Sequence, residues 1–267
     1  MFSITTEQLN DWLSSLIWPL TRILALFAST PLLGSSSIPI QTKLGLAVLL
    51  TTLIAPLLPP LPQIDPGSGV GLIILIQQII IGLAMGFSMR IVFTAVEMAG
   101  EITALQMGIG FATFFDPQQS GQVQLVGRFY GLLATLMFLA IDGHLQVIAI
   151  LADSFTTLPI GTEGMNTTSF TALIHWGIKI FTLGLHLSLP VLAALLITNL
   201  ALGILTRAAP QLNIFAVGFP LTLGIGLLVM SWALPYFTPL LDQLFQESFS
   251  IMRSLSSKAS VIGTPEE

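Results

Sequence analysis

Charged residues are scarce in this chain. Lys, Arg, Asp and Glu together make up only 8% of its 267 residues, whereas 54% of the residues are hydrophobic. A soluble domain carries about a quarter charged residues, so this chain has too few charges to cover a water-facing surface. The mean hydropathy of +0.91 agrees, and the composition predicts an integral membrane protein.

Cysteine is absent, which excludes disulfide bonds, iron–sulfur clusters and thiol catalysis. The chain also has no cluster of Lys or Arg, which excludes the usual signature of a protein that binds nucleic acid or an anionic lipid surface. We therefore predict contact with membrane lipid but no nucleic-acid partner.

Catalytic motifs are missing as well. The chain contains no H-E-x-x-H, no G-x-S-x-G and no glycine-rich phosphate loop, the patterns that mark zinc metalloproteases, serine hydrolases and nucleotide sites. Asp142 and His144 supply two ligand types without further partners, and Gly143 between them is more typical of a turn than of a metal site. The sequence predicts a protein that is not an enzyme and needs no cofactor.

The remaining histidines do not change this prediction. His175 and His186 are eleven residues apart, about 16 Å along a helix, so one metal ion cannot bridge them. With Lys179 they share one helix face. This pattern indicates a stripe that faces protein or the membrane interface.

Apolar segments long enough for membrane helices fill most of the chain. A bilayer core of about 30 Å needs roughly 20 apolar helical residues. The third segment continues past Arg90 as a more polar helix to about residue 107. The apolar segments span residues 7–33, 44–58, 69–89, 122–156, 168–206 and 211–252.

Proline and glycine are expected to interrupt several of these segments. As straight helices the fifth and sixth would each measure about 60 Å, so we expect them to bend into hairpins or to protrude from the bilayer. Broken backbone at membrane depth needs a protein or water neighbour. The predicted fold is therefore an all-α, multi-helix membrane protein with broken helices, within a larger assembly. The predicted interruptions lie at Pro19, 140–146, Pro190, Pro220, Pro235 and Pro239.

The two ends of the chain differ from this apolar body. The first residues carry acidic side chains where a signal peptide would carry basic ones, and Thr5 or Thr6 is expected to cap a retained first helix. The last residues are polar. We predict a single membrane domain over residues 1–255 and a polar tail over residues 256–267.

A polar stripe interrupts the apolar character of the third segment. Arg90, Thr94, Glu97 and Glu101 fall within about 60° on one helix face. Charged residues at membrane depth cost about 2.5–3.5 kcal/mol each, so this face should meet protein or water rather than lipid. It is either an ion-pair network between subunits or a channel wall. Glu97 and Glu101 also keep open a second functional class, a proton-coupled secondary transporter of a small solute.

Residues 105–117, LQMGIGFATFFDP, follow this stripe. Gly108 and Gly110 each disfavour a continued helix by about 1 kcal/mol, and Pro117 removes the residue before it from the helical region. From the residues alone, this segment is either a connector whose aromatic side chains pack in the core or an apolar loop that closes a conduit. Hydrophobic constrictions block water and ions by dewetting.

Several motifs, in their order and spacing along nearly the whole chain, resemble those of the FliR family of flagellar and type III secretion export proteins. The block AAPQLNIFAVGFP is the most specific of them. The matching stretches are WPLTRILALFASTPLLG (18–34), IPIQTKLGLA (38–47), QQIIIGLAMGF (77–87), AGEITALQMGIGFATFFDP (99–117), FLAIDGHLQVI (138–148), DSFTTLPIG (153–161) and TNLALGILTRAAPQLNIFAVGFPLTLGIG (198–226).

The resemblance implies a non-catalytic subunit of the flagellar export gate, in the bacterial inner membrane at the basal body. It implies a helical, closed assembly with FliP-like and FliQ-like pore subunits, partly lifted out of the bilayer. It also implies that this assembly acts together with FlhB and FlhA in the export of flagellar proteins. It also implies that the segment after the polar stripe is a plug loop. The plug residues carried over are Met107, Gly108, Gly110, Phe111, Phe114, Phe115, Asp116 and Pro117.

Overall fold

The computed structural model describes residues 6–59, 62, 64–109, 125–211 and 214–256. Throughout these ranges the regular structure is helical, as the composition predicts. The helices are α1 (Thr6–Ser29), α2 (Pro31–Gly34), α3 (Ile40–Ile54), a 3₁₀ turn (Ala55–Leu57), α4 (Gly69–Gln106), α5 (Leu125–Ala140), α6 (Gly143–Thr157), α7 (Thr167–Ala208) and α8 (Ile214–Ser256).

Four helical stretches in the described residues are long and apolar enough to cross a membrane, or five if the broken pair α5 and α6 is counted as one span. The four are α3 with its 3₁₀ turn, α4, α7 and α8. The last three contain 38, 42 and 43 residues. Their lengths are therefore about 60 Å each, roughly twice the bilayer core.

The predicted proline breaks are wrong. Pro19 lies inside α1 and Pro190 inside α7, and α8 continues through Pro220, Pro235 and Pro239. Each proline removes one backbone hydrogen bond and crowds the preceding turn. Helices in an apolar surrounding retain the remaining bonds, because no water competes for the backbone groups. The long segments are therefore continuous helices rather than hairpins at these prolines.

Helix ends also differ in detail from the predicted bounds. The first segment ends at Ser29 and restarts at Pro31 as the short α2, a favoured position for proline in a first helical turn. α3 begins at Ile40, four residues before the predicted start. The predicted interruption at 140–146 is confirmed, but the left-handed residue is Asp142 (φ 55°) and Gly143 already begins α6.

One compact unit comprises residues 1–91, 142–177 and 246–267. Its core contains Trp18 and Phe27 of α1 and Phe155 of α6. The backbone oxygen of Ser88 accepts from Trp176 Nε1 at 2.9 Å and from Ser248 Oγ at 2.9 Å. These bonds tie α7 and α8 to α4 within this unit.

The second compact unit comprises residues 92–141 and 178–245. Its core is aromatic. The ring centroid of Phe93 lies 5.8 Å from that of Phe138 and 5.5 Å from that of Phe245, and Tyr130 lies 4.9 Å from Phe237. Aromatic pairs at these separations add to the stability that burial supplies.

Candidate interface and gate residues

Helices α4 and α5 approach each other at a glycine seam. A Cβ atom on Gly100 would lie 2.6 Å from the Cα of Gly127 and 2.7 Å from the backbone oxygen of Val126. Only residues without side chains allow this approach. Gly127 and Gly131 form a G-x-x-x-G pattern, the spacing at which apolar helices pack backbone against backbone.

Two of the predicted stripe residues lie over this seam. A Cβ atom on Gly131 would lie 3.1 Å from Glu97 Oε1, and one on Gly127 would lie 3.2 Å from Glu101 Cγ. The glycines of α5 thus leave room for the two glutamate side chains of α4.

The structure places all four stripe residues on α4. Arg90, Glu97 and Glu101 are exposed, and Thr94 is half-buried. The helix that carries them also contains an 18-residue stretch with a mean hydropathy of 2.3. Exposed charges on such a helix require a neighbour that is protein or water rather than lipid.

α4 ends where the glycines predict. Its last helical residue is Gln106, and Gly108 adopts a left-handed conformation with φ 84°. The Gly108 N–H donates to the Leu105 oxygen at 3.1 Å, as in a glycine that terminates a helix. Of the predicted plug residues, Met107 and Gly108 are described. Gly110, Phe111, Phe114, Phe115, Asp116 and Pro117 lie outside the described residues.

Sequence reasoning missed the role of Arg22. Its side chain is 0% exposed, and its Nε donates to Gln78 Oε1 at 2.8 Å. Nη1 donates to the Ser154 oxygen at 2.9 Å and to Ser154 Oγ at 3.0 Å, and Nη2 donates to the Leu158 oxygen at 3.0 Å. The guanidinium also lies over the Phe155 ring, 4.3 Å from its centroid.

These contacts cap the end of α6. The oxygens of Ser154 and Leu158 belong to the C-terminal end of that helix, where the helix dipole is negative. The Ser154 oxygen also accepts from the Leu158 N–H at 3.0 Å, so Arg22 is a second donor to it. A cation placed there offsets the dipole and donates hydrogen bonds to both oxygens. The signal in the sequence was a lone arginine within an apolar segment, but its partners lie 56, 132 and 136 residues away.

The other polar candidates do not form a site. The described residues contain no group of three or more His, Cys, Asp or Glu side chains placed to hold a metal ion. His175, Lys179 and His186 are exposed on α7. His186 lines a shallow, mostly apolar groove of about 260 Å³ together with Pro190, Trp232 and Tyr236.

Comparison with known proteins identifies the family. The family model described as bacterial export proteins, family 1, matches residues 13–248. The flagellar biosynthetic protein FliR of Escherichia coli K12 is 45% identical over 98% of this chain and 100% of its own length. FliR of Pectobacterium carotovorum is 45% identical over 97% of this chain and 99% of its own length. FliR of Buchnera aphidicola from Schizaphis graminum is 35% identical over 93% of this chain and 98% of its own length. The chain therefore belongs to the bacterial export proteins of family 1, the FliR family.

Proposed function

We propose that this chain is a non-enzymatic subunit of the flagellar type III protein export gate. It forms part of the channel through which unfolded flagellar proteins cross the inner membrane, driven by energy from elsewhere in the machine. The observation that carries the proposal is end-to-end similarity, at 45% identity, to a protein named for flagellar biosynthesis.

The gate is assigned to the segment that follows α4. Its proposed residues are Met107, Gly108, Gly110, Phe111, Phe114, Phe115, Asp116 and Pro117. Support comes from the composition of this segment, since closely spaced phenylalanines can exclude water from a narrow lumen and so block ions. Further support comes from Gly108, whose left-handed backbone ends α4 immediately before the segment.

The partners proposed are FliP-like and FliQ-like pore subunits, with FlhB and FlhA as further export components and flagellar proteins as transient substrates. The exposed Arg90, Glu97 and Glu101 on an apolar helix support contact with other subunits.

The proposed location is the inner membrane at the flagellar basal body, with one membrane domain over residues 1–255 and a polar tail after it. Helices of 38 to 43 residues exceed the bilayer core. This excess length supports an assembly whose helices rise partly out of the membrane plane.

The alternative of a proton-coupled transporter of a small solute is not supported. The relatives reported above are named as flagellar biosynthetic proteins. The exposed carboxylates of Glu97 and Glu101 are accounted for by the subunit contacts proposed for α4.

Co-purification tests the proposal. The tagged chain is expressed together with its FliP-like and FliQ-like neighbours, solubilised in mild detergent and recovered by the tag. We expect the three proteins to elute as one complex. A tagged, unrelated multi-pass protein expressed with the same neighbours is the control. Elution of the chain by itself, with both neighbours in the flow-through, would overturn the proposed assembly.

A further inference from the structure

We infer that the second half of α7 and the first half of α8 lie in membrane lipid, and that the exposed Trp232 and Tyr236 mark one surface of the bilayer. The two segments, residues 187–206 and 214–235, are called the uncharged halves because neither contains Lys, Arg, Asp or Glu. This inference deepens the proposed location and rests on it, since it names where helices longer than the bilayer leave the membrane. It does not depend on the gate assignment.

The uncharged halves have the length of a bilayer core. They contain 20 and 22 residues, which corresponds to about 30 and 33 Å of helix, against a core of about 30 Å. The complete helices contain 42 and 43 residues and are too long to lie within that core. Because the short connection at residues 209–213 joins the two helices, both uncharged halves start from the same end.

Charged side chains lie only beyond the ends of the uncharged halves. Between Glu163 and Asp242 the chain has no acidic residue, and the Lys and Arg residues in this range are Lys179 and Arg207. Both are exposed, Arg207 at the end where the helices are connected and Lys179 before the other end. Cations at these positions complement the phosphate groups at the two surfaces of a phospholipid bilayer, which long basic side chains reach readily.

The exposed surface of α8 changes at Tyr236. Before this residue the surface is apolar, and Leu227 and Leu228 are 53 and 47% exposed. After it, the described Leu, Ile, Phe and Met side chains of α8 are buried or half-buried, whereas Thr238 and Gln243 are exposed. A helix that leaves lipid at Tyr236 has this distribution, because lipid contact requires an apolar surface and contact with water does not.

Amphipathic aromatic side chains lie at the level of this change. Trp232 and Tyr236 are 70 and 79% exposed, and they line one shallow groove together with His186 of α7. Trp and Tyr are enriched at membrane–water interfaces, where the ring contacts acyl chains and the polar atom reaches the headgroups. Towards its start, α7 exposes side chains of both kinds, Lys179 and Phe181 among them. The groove thus places the start of the first uncharged half beside the end of the second, so both leave the bilayer at one level.

The hydroxyl groups of the uncharged halves are satisfied as lipid requires. All five donate to backbone oxygens three or four residues earlier in the same helix, at 2.7 to 3.1 Å, so none needs water. Asn199 is an exposed amide among apolar side chains, which costs less in lipid than a charge would. The five are Ser188, Thr198, Thr206, Thr222 and Ser231.

Spin labelling tests this placement, since the chain has no cysteine of its own. Single cysteines that carry a nitroxide are introduced at exposed positions of α8, and the protein is reconstituted in vesicles of phosphatidylethanolamine and phosphatidylglycerol. Collisions are measured with oxygen, which concentrates in lipid, and with a polar nickel chelate, which stays in water. The labelled positions are Val217, Leu221, Leu228, Tyr236 and Gln243.

The position of the maximum decides the test. We expect the oxygen-to-nickel collision ratio to peak near residue 225, the middle of the second uncharged half, and to fall severalfold by Tyr236 and Gln243. A peak near residue 235, the middle of the whole of α8, would overturn the proposed boundary. In that case Leu228 and Gln243 would give similar ratios.

Positions on α7 test the lipid contact itself. Ile197→Cys and Ile204→Cys, at side chains that are 69 and 63% exposed, should give the same high ratio. Gln211→Cys, exposed in the connection between the helices, is the control and should favour the nickel chelate severalfold. Few collisions with either reagent at Ile197 and Ile204 would show that another subunit covers them. Frequent collisions with nickel would show water, and either result would overturn the lipid contact.

Failure of this placement is distinguishable from failure of the proposed assembly. The labelled variants are measured in the complex recovered with the FliP-like and FliQ-like neighbours, or in the chain by itself where no complex forms. A chain recovered without these neighbours that still peaks near residue 225 would overturn the assembly and support the placement. A recovered complex that peaks near residue 235 would overturn the placement and leave the assembly standing.

Discussion

Arg22 Nη1 lies 2.9 Å from the backbone oxygen of Ser154 and donates to it, in a position with no exposure to solvent. The same guanidinium binds Gln78 and Leu158. One side chain thus joins α1, α4 and the end of α6. Its acceptors are neutral, so the arginine works as a branched donor rather than as half of an ion pair.

Replacing this arginine should destabilise the protein. In Arg22→Met the oxygens of Gln78 and Leu158 lose this donor, whereas the Ser154 oxygen keeps the Leu158 N–H. Each buried group left unsatisfied costs about 1–3 kcal/mol. We expect a net loss of about 2–4 kcal/mol, seen as a lower melting temperature of the detergent-solubilised chain. Arg22→Lys should recover only part of it, because an ammonium cannot reproduce the planar fork. Arg207→Met, at an exposed site near the end of α7, is the control. Equal melting temperatures for the two methionine variants would contradict the prediction.

The glycine seam should tolerate no side chain. Gly100→Ala would place its methyl group 2.6 Å from the Gly127 Cα and 2.7 Å from the Gly127 nitrogen. These are backbone atoms, so α4 and α5 would have to separate. We expect a loss of about 1–3 kcal/mol, as for overpacking in a core, measured by thermal unfolding. Gly203→Ala, in α7 with nothing within 4 Å, should be neutral or slightly stabilising. A neutral Gly100→Ala would show that the helices do not touch at this seam.

Removing the apolar bulk of the gate segment should make cells leak. Phe114→Ala with Phe115→Ala, or deletion of residues 110–115, should raise passive ion conductance while the complex still assembles, because dewetting depends on the width and apolarity of the constriction. Conductance is measured in whole cells with and without export substrates. Phe181→Ala, at an exposed phenylalanine of α7, is the control. Conductance at the parent level in both gate variants would rule out a plug.

Neutralising the stripe should weaken assembly. Glu97→Gln with Glu101→Gln removes two exposed carboxylates from an apolar helix, and we expect a severalfold lower yield of the complex on affinity purification, because subunit contacts at these groups would lose their charge partners. Glu163→Gln, in the connection between α6 and α7, is the matched control. Normal assembly with lost secretion would instead place these carboxylates in the export path.

Local chemistry was readable from the sequence. Gly108 ends α4 because a residue without a side chain adopts a left-handed backbone at low cost, and the stripe from Arg90 to Glu101 falls on one helix as its spacing requires. The effect of the prolines on the helices was not predictable in the same way. Pro190 and Pro220 looked like breaks, yet α7 and α8 continue through them. The cost of a proline depends on whether the lost bond is compensated by the surroundings, which spacing does not reveal.

By itself, the sequence determined the class of protein and the approximate lengths of its helices. Charge scarcity and apolar segment lengths are properties of composition, and they decide the membrane class and the helix content before any packing exists. The partners of Arg22, the seam at Gly100 and the hydrogen bond from Thr222 to Met107 were decided only by the tertiary structure. These contacts join residues tens to more than a hundred positions apart. Whether such groups meet depends on how the helices pack, which no single segment encodes.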